Sequence, residues 1–179
     1  MAYDRAELQT FLDQLSLTGP IEPFLVLADW LQSRDDPWGE LIAIQCASRD
    51  LLELHAGTLW VESERLLAVL GSKLCRFYGE IGYSVLWGRG FVRQVWFREP
   101  PSTNELGRDL DHLFGIPAGA LVAELSFRNA HLEDGHATRL IERRRRLSTM
   151  TTLDITGNRF SDEITFELAR TFPNALLGQ

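Results

Sequence analysis

The feature that most constrains this chain is a pattern written twice in its second half. Val122-Ala-Glu-Leu125-Ser-Phe127-Arg-Asn-Ala130-His-Leu132 places apolar residues at relative positions 1, 4, 6 and 11, with a small residue at 9. Met150-Thr-Thr-Leu153-Asp-Ile155-Thr-Gly-Asn158-Arg-Phe160 repeats that layout with Asn158 in the small-residue slot. Leu125 and Leu153 are 28 residues apart. A fainter copy, Val92-Arg-Gln-Val95-Trp-Phe97, puts Val95 30 residues before Leu125. Within each copy apolar and polar residues alternate, as in a short strand with one buried face. A unit this small cannot bury its apolar face alone, so neighbouring units must stack to supply a core.

The layout resembles the leucine-rich-repeat unit, L-x-x-L-x-L-x-x-N/C-x-L, whose period runs roughly 20–29 residues. The resemblance implies two or three strand-plus-helix units forming a short solenoid, a shape that usually serves as a binding surface. Alternation then assigns the faces. Leu125, Phe127, Leu153 and Ile155 point inward, so Glu124, Ser126 and Arg128 of one unit and Thr152, Asp154 and Thr156 of the next point outward. In the first, fainter unit the outward set is Gln94, Trp96 and Arg98. These residues form the candidate binding surface, because Trp and Arg are the types that most often anchor interfaces.

Upstream, the spacing predicts helices. Asp4-Arg-Ala-Glu7 reads as an acid-headed capping box ahead of Leu8, Phe11, Leu12 and Leu15. Gly19-Pro20 breaks that helix, and a second begins near Ile21 with the stripe Phe24, Leu27, Ala28 and Leu31. Asp36-Pro37 supplies an N-cap with proline at the first position of a third, which carries Leu41, Ile44, Ser48, Leu51 and Leu52. A fourth spans residues 58–78 with Leu66, Leu67, Leu70, Leu74 and Phe77 buried. The period then changes. Strands are expected at 84–87, 90–97, 122–127 and 152–156, with helices at 103–114, 136–147 and 161–171 and a short tail from Pro173. Residues 1–80 form a helical N-terminal cap and residues 81–179 the repeat-like units, packed as one α/β structural unit.

Ala28-Asp-Trp-Leu31, Asp36-Pro37, Gly39-Glu40, Ile42 and Gln45, followed by Arg89-Gly90-Phe91, resemble the bacterial repeat-companion domain. Its signature is approximately A-D-W-L-E-E-R-G-D-P-x-x-E-F-I-x-x-Q, and the resemblance covers roughly residues 5–100. That domain often precedes leucine-rich-type repeats, and its R-G-F segment opens the first repeat strand. The resemblance implies architecture and no chemistry. Here Gln32-Ser33 replace two acids and Asp35 replaces the glycine, which asks Asp35 to adopt the left-handed turn conformation. The motif reads as a structural helix corner, with Asp29 and Glu40 positioned to bridge to Arg34 or Arg49.

Composition narrows the function classes. The chain carries a net charge of −7, which argues against broad phosphate binding. The excess lies in the first half: residues 1–90 hold 13 acids and 7 bases, against 12 and 11 in residues 91–179. No apolar run reaches the ~18 residues of a membrane span, and the N-terminus lacks signal-peptide character. Cys46 and Cys75 lack metal-type spacing, so reduced thiols in a cytoplasmic protein are expected.

His131-Leu-Glu-Asp134-Gly-His136 is the one cluster of metal-like residue types, but it also fits a strand-to-helix turn in which the Asp134 carboxylate caps the next helix. No metal or cofactor is expected. Arg143, Arg144, Arg145 and Arg146 follow Glu142. At ~100° per residue they spread around a helix and form no single basic stripe, so the run reads as a solvated face. No nucleophile elbow, phosphate loop or metalloprotease motif is present, and no catalytic residue is assigned. The chain is therefore expected to be a non-enzymatic protein-interaction module or adaptor with a protein partner, or a subunit of a larger assembly. The alternatives are a nucleic-acid-associated accessory protein using Arg143–Arg146 and a hydrolytic enzyme with a dispersed site.

Overall fold

A computed structural model describes residues 4–16, 18–47, 57–99, 102–147 and 150–177. Helices come first: α1 Arg5–Leu12, α2 Glu22–Gln32, α3 Pro37–Ala47 and α4 Thr58–Leu74. The Asp4 carboxylate caps α1, accepting from the Ala6 and Glu7 amides at 2.9 and 3.4 Å. Phe24, Leu27, Ala28 and Leu31 are the buried stripe of α2, as their spacing predicts. Asp36 is buried and its carboxylate accepts from the Trp38 amide at 2.8 Å, holding the first turn of α3 behind Pro37. Gly39 lets α3 press onto α2, since a Cβ there would stand 2.5 Å from the Ala28 carbonyl oxygen and 2.9 Å from Leu31 Cβ. Asp35 has φ 55°, the left-handed conformation asked of it. Ser48, Leu51 and Leu52, expected on the third helix, lie outside the described residues. α4 ends at Leu74, short of the expected Tyr78, and Phe77 is buried from the turn that follows.

The corner between α2 and α3 is tied differently from expectation. Arg34 pairs with Glu7 of α1 at 3.4 Å and stacks over Trp30, whose indole nitrogen donates to Glu7 at 2.7 Å. Asp29 and Glu40 form no ion pair among the described residues, and Arg49 lies outside them. Asp29 is exposed, so Asp29→Ala should change unfolding free energy by less than about 0.5 kcal/mol. A urea titration showing a clearly larger loss would assign Asp29 a role in the corner.

The motif instead builds a clasp on a distant turn. β1 Tyr83–Gly88 and β2 Phe91–Phe97 pair antiparallel through Arg89 and Gly90, with φ of 54° and 81°, the two positive-φ positions of a tight hairpin turn. The Trp38 indole donates to the Gly90 carbonyl at 2.7 Å, and Gln45 Oε1 accepts from the Gly90 amide at 2.7 Å. Ile42 fills the space a Gly90 side chain would need. Trp38, Ile42 and Gln45 lie at i, i+4 and i+7 on one face of α3, so one helical stripe holds both the N–H and the C=O of Gly90. Gln45 also donates to Ser63 of α4 at 3.0 Å. Phe91, next in the chain, packs edge-on against Trp38 and Phe24.

The remaining strands extend the sheet one at a time. β3 Glu124–Ser126, β4 Thr152–Asp154 and β5 Ala175–Leu176 add in parallel beside β2, in the order β1-β2-β3-β4-β5, and the sheet stays open. The parallel strands are connected by α5 Thr103–Leu113, then α6 Asp134–Glu142 with α7 Arg144–Leu147, then α8 Asp162–Thr171. Val95, Leu125, Leu153 and Ala175 stand in register, and Phe97 stacks on Phe127 at 4.2 Å. The segment 92–97 thus pairs with the first clear copy as the pattern requires. Asn158 is buried and ties the two copies together. Its amide nitrogen donates to the Phe127 and Ile155 carbonyls, each at 2.8 Å, and its oxygen accepts from the Leu132 amide at 2.8 Å.

Three expectations are corrected. The tail after Pro173 contains β5, so the sheet runs one strand beyond the second copy. Both inner strands are shorter than expected, although Phe127 still donates to Asp154 at 2.7 Å and Asn129 to Thr156 at 2.9 Å. The helix expected at 136–147 starts at Asp134 and breaks at Arg143. One buried cluster runs from Leu8 to Phe172, so helices and sheet share a core. Cys46 and Cys75 sit in it as free thiols; burial pushes Cys46 up to about 11 and raises Cys75. Among the described residues no helix is long and apolar enough to cross a membrane.

Candidate functional site

Register places the candidate residues in rows that run across the strands. Ser84, Trp96, Ser126, Asp154 and Leu176 are successive partners from β1 to β5. Leu86, Gln94, Glu124 and Thr152 form the next row. On the other side of the central row, Arg98 and Arg128 each follow it by two residues, just past the ends of β2 and β3. Alternation keeps the strand residues on the face opposite Val95, Leu125 and Leu153, and the two arginines line the same recess as Trp96.

The central row is recessed. Ser84, Trp96, Arg98, Ser126, Arg128 and Asp154 line a concave pocket of about 500 Å³. Trp96 is half-buried and Arg98 and Arg128 are exposed, while Ser126 is only 7% exposed. Ser126 is therefore buried among its neighbours rather than displayed as an outward residue. Gln94, Glu124 and Thr152 are half-buried in the neighbouring row and do not line the pocket. Thr156, two residues past the end of β4, folds back on Asp154, its amide and hydroxyl donating to Asp154 Oδ1 at 3.0 and 2.8 Å. The Asp154 carboxylate is thus committed to closing the end of β4. Arg98 and Arg128 form no ion pair with any carboxylate among the described residues.

Ser84 is the lining residue that sequence reasoning missed. The Arg89-Gly90 turn fixes which residues of β1 and β2 face each other. A bulge between Leu86 and Trp87, opposite Arg93, then shifts the pairing by one. Without the bulge, counting outward from the turn puts Ser84 opposite the wrong partner.

The other candidate clusters serve the fold. His131 is exposed with φ 54°, whereas His136 is buried and its Nδ1 accepts from the Glu133 amide at 3.2 Å. The Asp134 carboxylate does not cap its own helix; it accepts from the Ser161 amide at 2.9 Å, ahead of α8. Among the described residues no three potential metal ligands gather. The arginine run is not a uniformly solvated face. Arg143 reaches Asp111 of α5 at 2.8 Å and Arg146 reaches the same carboxylate at 3.2 Å. The Arg143 hydrogen bond holds Asp111 below the usual carboxylate range.

A second polar recess, of about 380 Å³, was not legible in the sequence. Asp109 of α5 is 4% exposed and is clamped by Arg76 and by the Tyr83 hydroxyl, the latter at 2.7 Å. Both carboxylate oxygens are occupied, so this group locks α5 against the start of β1. His112 packs edge-on against Phe77, and burial, with Arg76 nearby, lowers its pKa. Comparison with protein-family models, curated proteins and solved structures returned no significant match to this chain.

Proposed function

We propose that this chain is a protein-interaction module or adaptor. In this reading α1 to α4 are a cap of the repeat-companion type, and the strand–helix units behind it are leucine-rich-repeat-like, with β5 adding one further parallel strand. The partner docks on the outward strand face. The observation that carries the reading is the row Ser84–Trp96–Ser126–Asp154, where a half-buried tryptophan is recessed beside two arginines that form no ion pair among the described residues. The strand ladder fixes these side chains beforehand, so binding loses little conformational entropy. A role as a subunit of a larger assembly draws support from the sheet's last edge, where Leu176 is 51% and Phe166 of α8 is 72% exposed. The nucleic-acid reading loses support because Arg143 and Arg146 are already paired with Asp111.

The test is affinity purification from the native host's lysate. Wild type is compared with a Trp96→Ala, Arg98→Glu, Arg128→Glu variant whose thermal melt matches it. Asp154 is left intact because its carboxylate closes β4. A partner held by wild type should be depleted about tenfold or more with the variant, the scale of losing one or more anchor residues. Equal recovery by both baits would overturn the strand-face reading.

A further inference from the structure

We propose that the partner segment taken by this face is acidic: a peptide stretch in which an Asp or Glu side chain neighbours an apolar residue. The carboxylate lies between Arg98 and Arg128, and the apolar side chain lies on Trp96. The inference rests on the strand-face reading above and adds the chemistry of its ligand.

Trp96 and Ser126 are register partners on strands ~4.8 Å apart, and Arg98 and Arg128 each stand two residues further on, just past the ends of those strands. Two guanidinium groups converging on one recess suit a carboxylate, which arginine holds by charge-assisted hydrogen bonds. Both arginines line the same recess as Trp96. Each arginine stands two residues past the central row, at most ~7 Å of chain, about the distance between adjacent side chains of an extended peptide.

Charge accounts for the preference. Arg139, Arg143 and Arg146 of the neighbouring helices are each paired with an acid of this chain, whereas Arg98 and Arg128 form no ion pair among the described residues. The nearest acid in the recess, Asp154, already accepts two hydrogen bonds from Thr156. Glu124 stands in the row on the far side of Trp96 and Ser126, two residues before Ser126. The face is therefore polarised, basic on one side of the tryptophan and acidic on the other. A ligand carboxylate is attracted to the first side and repelled from the second, which fixes its direction. The whole chain is at −7, so added salt screens both the local attraction and the overall repulsion of an acidic partner. Charge reversal is the cleaner test.

The probe is a library of randomised heptapeptides, acetylated and amidated so that every carboxylate belongs to a side chain, with a parallel set bearing free C-termini. It is selected on the full chain, on an Arg98→Glu, Arg128→Glu variant and on Trp96→Ala, each shown to melt with wild type. Wild type should enrich capped peptides with Asp or Glu beside an aromatic or aliphatic residue. The charge-reversed variant should enrich Lys or Arg at that position and bind the wild-type selections about tenfold more weakly. Trp96→Ala should keep the acid and lose the apolar neighbour. Peptides whose retention depends on Trp96 but shows no acidic preference would overturn this inference and leave the strand-face reading standing. Enrichment confined to free C-termini would also overturn it, by assigning the arginines to a terminal carboxylate. Retention of no peptide by wild type counts against both readings.

Discussion

Trp38→Ala is expected to destabilise the protein by about 3–5 kcal/mol, the range for removing a fully buried tryptophan. Trp38 is 1% exposed, touches Phe91, and supplies the hydrogen bond to the Gly90 carbonyl. Trp38→Phe separates the two contributions. It keeps most of the aromatic packing and leaves the Gly90 carbonyl without its donor, at about 1–3 kcal/mol. Because helices and sheet share one core, far-ultraviolet dichroism and tryptophan fluorescence should lose their signals together in urea. A helical signal that survives while the sheet melts would show that the α3 clasp does not couple the two. A Trp38→Ala loss below about 1 kcal/mol would remove the clasp from the account.

Asn158→Ala should cost about 3 kcal/mol, because it strands the Leu132 amide and the Ile155 carbonyl inside the protein and takes one of two donors from the Phe127 carbonyl. For a chain of this size that corresponds to a fall in melting temperature of about 6–12 °C. The effect on β3 and β4 should exceed that on the helices, so the amides of Phe127 and Leu132 should exchange with solvent faster than those of α2. Asn158→Ala with an unchanged melting temperature would mean that the asparagine slot is not what binds consecutive units. The two substitutions probe different joints, helices to sheet and unit to unit, and their effects should add.

What the sequence revealed, and what it hid, follows from the range of each interaction. The stripe Phe24, Leu27, Ala28, Leu31 and the inward set Leu125, Phe127, Leu153, Ile155 were legible because local periodicity reports which face is buried. The left-handed Asp35 was legible because the motif marks it as a glycine position. The function of Trp38 and Gln45 was not, since their partner Gly90 lies 52 and 45 residues away. β5 escaped because two residues have no period; its pairing with β4 is decided by where α8 delivers the chain. In the candidate site, alternation found Trp96, Arg98 and Arg128. It could not show that Asp154 is held by Thr156, that Ser126 is recessed, or that a bulge brings Ser84 alongside. Asp109 was invisible for the same reason: its two partners, Arg76 and Tyr83, come from outside its own helix.

The measurement closest to the central claim is an equilibrium titration of the recovered partner against two folded variants. One carries Trp96→Ala with Arg128→Glu on the strand face. The other carries Val61→Ser with Val69→Ser on α4, where both valines are more than half exposed and offer a rival apolar surface. The strand-face account predicts a loss of about tenfold or more in affinity for the first variant and less than about twofold for the second. The reverse order would place the binding surface on the helices and contradict the account.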